Sequence, residues 1–377
     1  MKRSVTRVMV VLVMALVLVM GMGGCGKADN SDETARKDVE EIKQENQTDV
    51  TEDIIDDEVA AADESAVEEI ATKKTQYPIT ITTYDADGSE IMTTYEKAPK
   101  RVLAVYQGSI ETLLALGLES HAVAFAGLDN EVPDEQKEAF SKVEYLDEFT
   151  PSKETVTMLE TDMIFSWGSL FSEKNLGVGQ GWQEKGANPY INTNTRPNTD
   201  SEKHPRTLEN EYRDLLNIGQ IFDVQDKAEA IVADMQAIID ETVAKTADRQ
   251  ERPTVLMLEY LSDTYSNYGA MTLGGDMITK LGGELVNPDG SDMGKEDIVA
   301  LNPEVIFVVY MPYGGDDAEQ VKKDSVDRVM NDEALASLDA VNNERVIPIM
   351  LSEVYASATR TKDGIQIIAE GMYLDAN

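Results

Sequence analysis

A twelve-residue pattern occurs once in each half of this chain and limits the fold more than any other feature. Residues 154–165 (ETVTMLETDMIF) align without a gap on residues 296–307 (EDIVALNPEVIF), with the apolar positions in register. Each copy reads as a short helix running into a buried strand. Each strand then reaches an aromatic residue, Trp167 in the first half and Tyr310 in the second. Strand and helix in alternation imply a parallel sheet with helices packed on it. Two such units predict two α/β lobes of like construction.

The rest of the chain fits around them. Residues 79–84 alternate and are β-branched, Asp87 and Gly88 follow, and residues 90–95 form a second short run, together a hairpin signature. Residues 101–106 read as a buried strand, and residues 109–116 as a helix with Ile110, Leu113 and Leu114 on one face and Ser109 as its cap. Between the halves, residues 228–246 carry Ile231, Met235, Ile238, Ile239 and Val243 at helical spacing with no Gly or Pro inside. A helix of roughly 20 residues spans about 30 Å, enough to bridge two domains. Pro253 ends this segment before residues 254–258 open the second lobe.

The N-terminal end predicts export. Lys2, Arg3 and Arg7 precede an apolar run over residues 8–22, the charged and apolar regions of a secretory signal and too short for a comfortable membrane span. Gly23 and Gly24 then lead into Cys25, which resembles the lipobox where bacterial lipoproteins are acylated and cleaved. Residues 1–25 are therefore expected to be a lipoprotein signal peptide ending at a lipidated Cys25. It is the chain's single cysteine, so no internal disulfide can form and the fold rests on its apolar core. With 42% hydrophobic residues there is material for two domains of ordinary size. Residues 26–76 are acidic and contain no aromatic residue, which predicts a disordered tether. A coil of about 50 residues reaches roughly 40 Å. The net charge of −38 argues against a nucleic-acid partner, which would need clustered Lys and Arg, and equally against a basic membrane-binding face.

Residues 77–377 resemble a cluster of bacterial importer-binding proteins for ferric siderophores, haem and cobalamin, built from two α/β lobes joined by one long helix. The resemblance rests on residues 99–106 (PKRVLAVY) through 111–117 (ETLLALG), on the two repeated units, and on residues 215–219 (LLNIG) running into 226–228 (DKA) and the bridging helix. It continues in residues 273–275 and 281–283 (both LGG), and in residues 330–338 (MNDEALASL) followed by 343–347 (NERVI), which look like the family's closing helix and strand. The expected fold is thus α/β, with Rossmann-like lobes over residues 77–224 and 253–377, a bridging segment over 225–252, and a ligand cleft between the lobes. The resemblance implies capture without chemistry by a lipid-anchored monomer on the outer face of the cytoplasmic membrane. Such a protein delivers its cargo to the permease subunits of an ABC importer driven by a separate ATPase. No cofactor of its own is implied. The cargo implied is a ferric chelate, a ferric siderophore first, with haem or a corrinoid as alternatives. A lipid-anchored enzyme or sensor on the same fold is the reading from a different class.

Open parallel sheets bind ligands at the carboxyl ends of their strands, in agreement with the family's cleft. The expected strand ends supply Tyr106, Gln107, Trp167, Asn194 and Arg196 in the first lobe and Tyr260, Tyr310, Tyr313 and Tyr355 in the second. Rings with a polar tip suit the face of a chelate. Ferric siderophores are often anionic, so the cleft is expected to hold arginine, with Arg196, Arg206 and Arg360 as candidates. In this family an acidic residue on each lobe meets arginines of the permease. Glu173 matches that place in the first lobe, and Asp316, Asp317 or Glu319 in the second.

Other chemistries find little support. A bare zinc or manganese site needs several converging histidines and carboxylates, and the chain has only His121 and His204. There is no G-x-S-x-G elbow and no nucleotide-binding glycine motif.

Overall fold

The computed structural model describes residues 74–373 apart from Val178, residues 199–202 and Asp263. The expected leader, Cys25 and nearly all of the expected tether lie outside the described residues. Thr75, at the end of that tether, is already held: its N–H donates to Asp223 Oδ1 at 2.6 Å and its hydroxyl to the Gln220 carbonyl at 2.7 Å.

The chain opens with a hairpin of β1 (Ile79–Tyr84) and β2 (Glu90–Tyr95), paired Ile79 to Tyr95 through Tyr84 to Glu90. Gly88 turns it at φ +85°, where a side chain would be strained. The first parallel sheet follows: β3 (Val102–Val105), β4 (Ala122–Ala126), β5 (Met163–Ser166) and β6 (Asn188–Ile191), in spatial order β4-β3-β5-β6. The second sheet contains β7 (Thr254–Leu261), β8 (Thr264–Asn267), β9 (Glu284–Leu285), β10 (Val305–Tyr310) and β11 (Val346–Met350). Here β9, β7, β10 and β11 are parallel neighbours in that order, and β8 is an antiparallel addition to the end of β7. Both lobes therefore have the strand order second, first, third, fourth. The repeated sequence units are the same piece in each. Helix Lys153–Met158 feeds β5, helix Lys295–Leu301 feeds β10, and each strand is the third of its sheet.

Each strand buries both faces by alternation. In the first sheet Val102, Ala104, Met163 and Phe165 enter one core, and Leu103, Val105 and Ile164 the other. In the second sheet Val255, Met257, Val305 and Phe307 face one core, and Leu256, Leu258, Ile306 and Val308 the opposite one. The bridging helix, Gln225–Thr246, joins the lobes: Ala228 packs into a first-lobe core, Val232 and Met235 into a second-lobe core, and Ile231 touches both. At 22 residues it is about 33 Å long.

Three local expectations are corrected. The first helix is Gln107–Ala115 and starts two residues before Ser109. Ser109 caps nothing, because its hydroxyl is turned inward to donate to Asn192 Oδ1 at 2.8 Å. The segment expected as a closing helix is a series of turns after helix Ala318–Met330. Asp332 accepts there from the Ala334 N–H and the Leu335 N–H, which tucks Leu335 and Leu338 into the core. The helix that closes the chain is Thr361–Met372, and it packs on the bridging helix and the second-lobe core.

Candidate ligand-binding cleft

In the first sheet the strand order reverses between β3 and β5, and a crevice must open where the following chain segments diverge. Tyr106 leaves β3 and Trp167 leaves β5 at this point. Their rings stack with centroids 4.0 Å apart and 15° between planes. Phe149 meets Tyr106 edge-on at 5.5 Å. From the second lobe Tyr355, beyond β11, approaches Trp167 at 5.5 Å and 30°. Tyr106, Trp167 and Tyr355 thus form a row of rings that crosses from one lobe to the other. Tyr106 takes φ 84° and ψ 153°, a conformation that non-glycine residues rarely adopt and that costs about 1–3 kcal/mol. Such strain is retained where the surroundings over-determine it.

The pocket beside this row is small, with a volume of about 20 Å³. Gln107, Asp129, Trp167, Met311, Ser352 and Tyr355 contribute its side-chain walls. Burial pushes the Asp129 carboxyl up to about 6. Tyr106 is also raised, first by burial and then by Asp129, Tyr355 and Tyr313. Tyr313 sits at the rim, exposed, and its hydroxyl is raised by partial burial and by Asp129, Glu259 and Asp316. Glu259 is a partly buried carboxylate of the second lobe that lies outside the residues lining this pocket. Burial raises it, and the Tyr268 hydroxyl donates to it at 2.8 Å.

The other expected residues divide by what they touch. Gln107 is buried, with its amide N–H donating to Glu111 at 2.5 Å and its carbonyl accepting from the Asp129 and Asn130 N–H groups. Asn194 does not present a free amide to the cleft. It donates to the Thr207 carbonyl and Glu211 and accepts from the Thr207 N–H and Asn210. Arg196 lies over the Tyr84 ring, 4.7 Å from its centroid, on the hairpin. Tyr260 follows Leu256 and Leu258 onto the far face of its sheet, where Arg328 covers its ring at 3.9 Å. Glu259, one residue earlier, takes the opposite face by strand alternation. Tyr310 lies within electrostatic reach of Glu353, Glu319 and Arg360, and burial pushes its hydroxyl up to about 12.

Arg360 is consumed. Its guanidinium forks onto the fully buried Glu111 carboxylate of the first lobe, Nε to Oε2 at 2.8 Å and Nη2 to Oε1 at 2.6 Å, and Nη2 also donates to the Glu131 carbonyl. Next to it Glu211, also buried, accepts from the Ala358 N–H at 2.7 Å. These contacts seam the lobes at the floor of the cleft. Gly108 permits the approach, since a Cβ there would lie 2.8 Å from the Ala356 carbonyl oxygen. Arg206 is the arginine that reaches the aromatic row: Nη2 donates to the Tyr355 hydroxyl at 2.6 Å, Nε donates to the Asn194 carbonyl, and the guanidinium lies 3.8 Å from the Tyr355 ring centroid.

The acidic candidates for permease contact are all on the surface. Glu173 pairs with Lys153. Asp317 caps helix Ala318–Met330 by accepting from the Gln320 N–H at 3.1 Å, Glu319 lies 3.8 Å from Lys322, and Asp316 accepts from the Tyr313 N–H. Among the described residues no cluster of His, Cys, Asp and Glu could hold a bare metal ion.

Residues 102–350, from the start of β3 to the end of β11, match a family described as periplasmic binding protein. The chain is similar to an uncharacterized ABC transporter substrate-binding lipoprotein, YvrC, of Bacillus subtilis (strain 168), at 24% identity over 311 residues, or 81% of this chain and 89% of that protein. It is similar in structure to a periplasmic binding protein from Veillonella parvula DSM 2008, with 30% identity and a TM-score of 0.73 over 80% of this chain and 93% of the other. An ABC-type Fe3+-hydroxamate transport system protein from Saccharomonospora viridis DSM 43017 shares the fold, with a TM-score of 0.60 and 19% identity over 78% and 99% of the two chains.

Proposed function

Because this chain belongs to the periplasmic binding protein family, we propose that it is the lipid-anchored capture subunit of an ABC importer, with an iron complex, a ferric siderophore, as its cargo. It binds and releases, and it is not an enzyme. The observation that carries the reading is the ring row Tyr106, Trp167 and Tyr355, set at the carboxyl ends of two sheets of like topology. The edges and polar tips of such a row can line the side of a partly apolar chelate and tolerate variation in it. The Fe3+-hydroxamate relative supports iron as the cargo element. In this reading Cys25 carries the anchor, and Glu173 with Asp317 or Glu319 meets the permease.

Haem is the second reading, and Tyr355 favours it. Its hydroxyl accepts from Arg206 and its side chain lines the pocket, and tyrosine is one of the axial ligands haem proteins use. Calorimetric titration of the folded body with ferric siderophores, haem and cobalamin separates these readings. The ferric siderophore reading expects saturable one-to-one binding of that class. One-to-one binding of haem or cobalamin alone would replace it, and binding of none would refute all three cargoes and point to another ligand or a role outside transport. Cys25→Ala is expected to move the protein from the membrane fraction to the soluble fraction.

A further inference from the structure

We infer that the cleft selects a ferric chelate carrying positive charge at its periphery, and that Asp129, with Glu259 of the second lobe, recognises that charge. The inference rests on the function proposed above and adds the chemical class of the cargo. Among the described residues that line the pocket, Asp129 is the one charged side chain, and no lysine, arginine or histidine is present.

The three candidate arginines lie outside the residues that line the pocket. Arg360 is forked onto Glu111, Arg196 lies on Tyr84, and Arg206 donates to the Asn194 carbonyl and the Tyr355 hydroxyl. Asp129 is in the opposite situation. Its backbone N–H donates to Gln107, but no hydrogen bond or ion pair reaches its carboxylate among the described residues. A half-buried, unpaired carboxylate has lost hydration without gaining a partner, and a cation that enters beside it restores what burial removed. Glu259 adds a second negative charge from the other lobe, and Tyr313 at the rim lies within electrostatic reach of both. An anionic tris-catecholate would meet Asp129 with no cation among the described residues that line the pocket.

The test uses one linear ferric trihydroxamate in three forms: terminal amine free and protonated, acetylated and neutral, or succinylated and anionic. Each is titrated into the wild-type protein, Asp129→Asn and Glu259→Gln. The cationic form is expected to bind about tenfold or more tighter than the neutral one, the worth of a charge-assisted contact, with the anionic form weakest. Asp129→Asn should erase the difference between cationic and neutral forms while keeping affinity for the neutral form, and Glu259→Gln should reduce it. Equal affinity for all three, or a preference for the anion that Asp129→Asn leaves unchanged, overturns the charge rule while capture of ferric chelates stands. Failure to bind any form overturns both the charge rule and the ferric siderophore reading.

Discussion

Replacing Arg360 by methionine tests whether the lobes are seamed as described. The substitution keeps an unbranched apolar stem and removes the fork onto Glu111, whose side chain is 0% exposed against 11% for Arg360. Glu111 would then hold a buried carboxylate with Gln107 as its remaining donor. Breaking a buried pair by removing one partner costs about 3–5 kcal/mol, because the surviving charge has neither water nor counter-ion. Three further contacts are lost, to the Glu131 carbonyl, the Ser352 hydroxyl and the Met350 sulfur, so the upper half of that range is expected. Arg360→Lys keeps the charge but not the fork, and should fall between. In the Glu111→Gln/Arg360→Met double variant the unpaired charge is gone, so much of the loss should return. The coupling energy from the cycle is expected to be about 2 kcal/mol or more. Urea unfolding followed by tryptophan fluorescence and circular dichroism reads these values where the two transitions coincide. A loss below about 1 kcal/mol for Arg360→Met, together with additive singles, would refute the buried seam.

Burial pushes Glu211 up to about 7 and Asp214 up to about 6, so the folded protein holds protons there that the unfolded chain has released. Stability from these groups is complete below their unfolded values and declines as pH rises through about 6 and 7. Glu211→Gln should therefore flatten the fall in urea midpoint between pH 5 and 8, by up to about 3 kcal/mol in stability. Glu173→Ala and Asp317→Ala are expected to lower uptake with unchanged ligand affinity, measured in reconstituted transporter and by calorimetry. Asp317→Ala should also cost about 1 kcal/mol as a lost helix cap. Tyr260→Phe should leave ligand affinity unchanged, since its ring lies on the far face of the second sheet under Arg328.

The architecture was legible because it is periodic. The repeated helix-strand units became the third strands of two sheets of equal order, and the apolar spacing of the bridging segment became helix Gln225–Thr246. The cleft was legible in part, because a strand-end rule names positions without saying which face they take. It brought Tyr106, Trp167 and Tyr355 together, but it also chose Tyr260 where alternation turns Glu259 inward. Arg360 looked free because its partner Glu111 is 249 residues away in the chain. A signal was present even so. Glu111 falls within the apolar helix after β3, and Glu211 shares the buried stripe of Leu208, Leu215 and Ile218, positions where a charge must find a buried partner. Asp129 carried no such signal, because one more carboxylate in a chain of net charge −38 is unremarkable until its burial is seen.

Trp167 alone can report the claim that cargo is held against the ring row between the lobes. Trp182 is the other tryptophan, buried with its indole N–H donated to the Leu176 carbonyl at 2.6 Å, so Trp182→Phe isolates the signal. Titrating this variant with the ferric chelate is predicted to quench Trp167 saturably, with the same one-to-one stoichiometry and affinity that calorimetry gives. Tight binding by calorimetry with Trp167 fluorescence unchanged would contradict the claim and move the cargo away from this cleft.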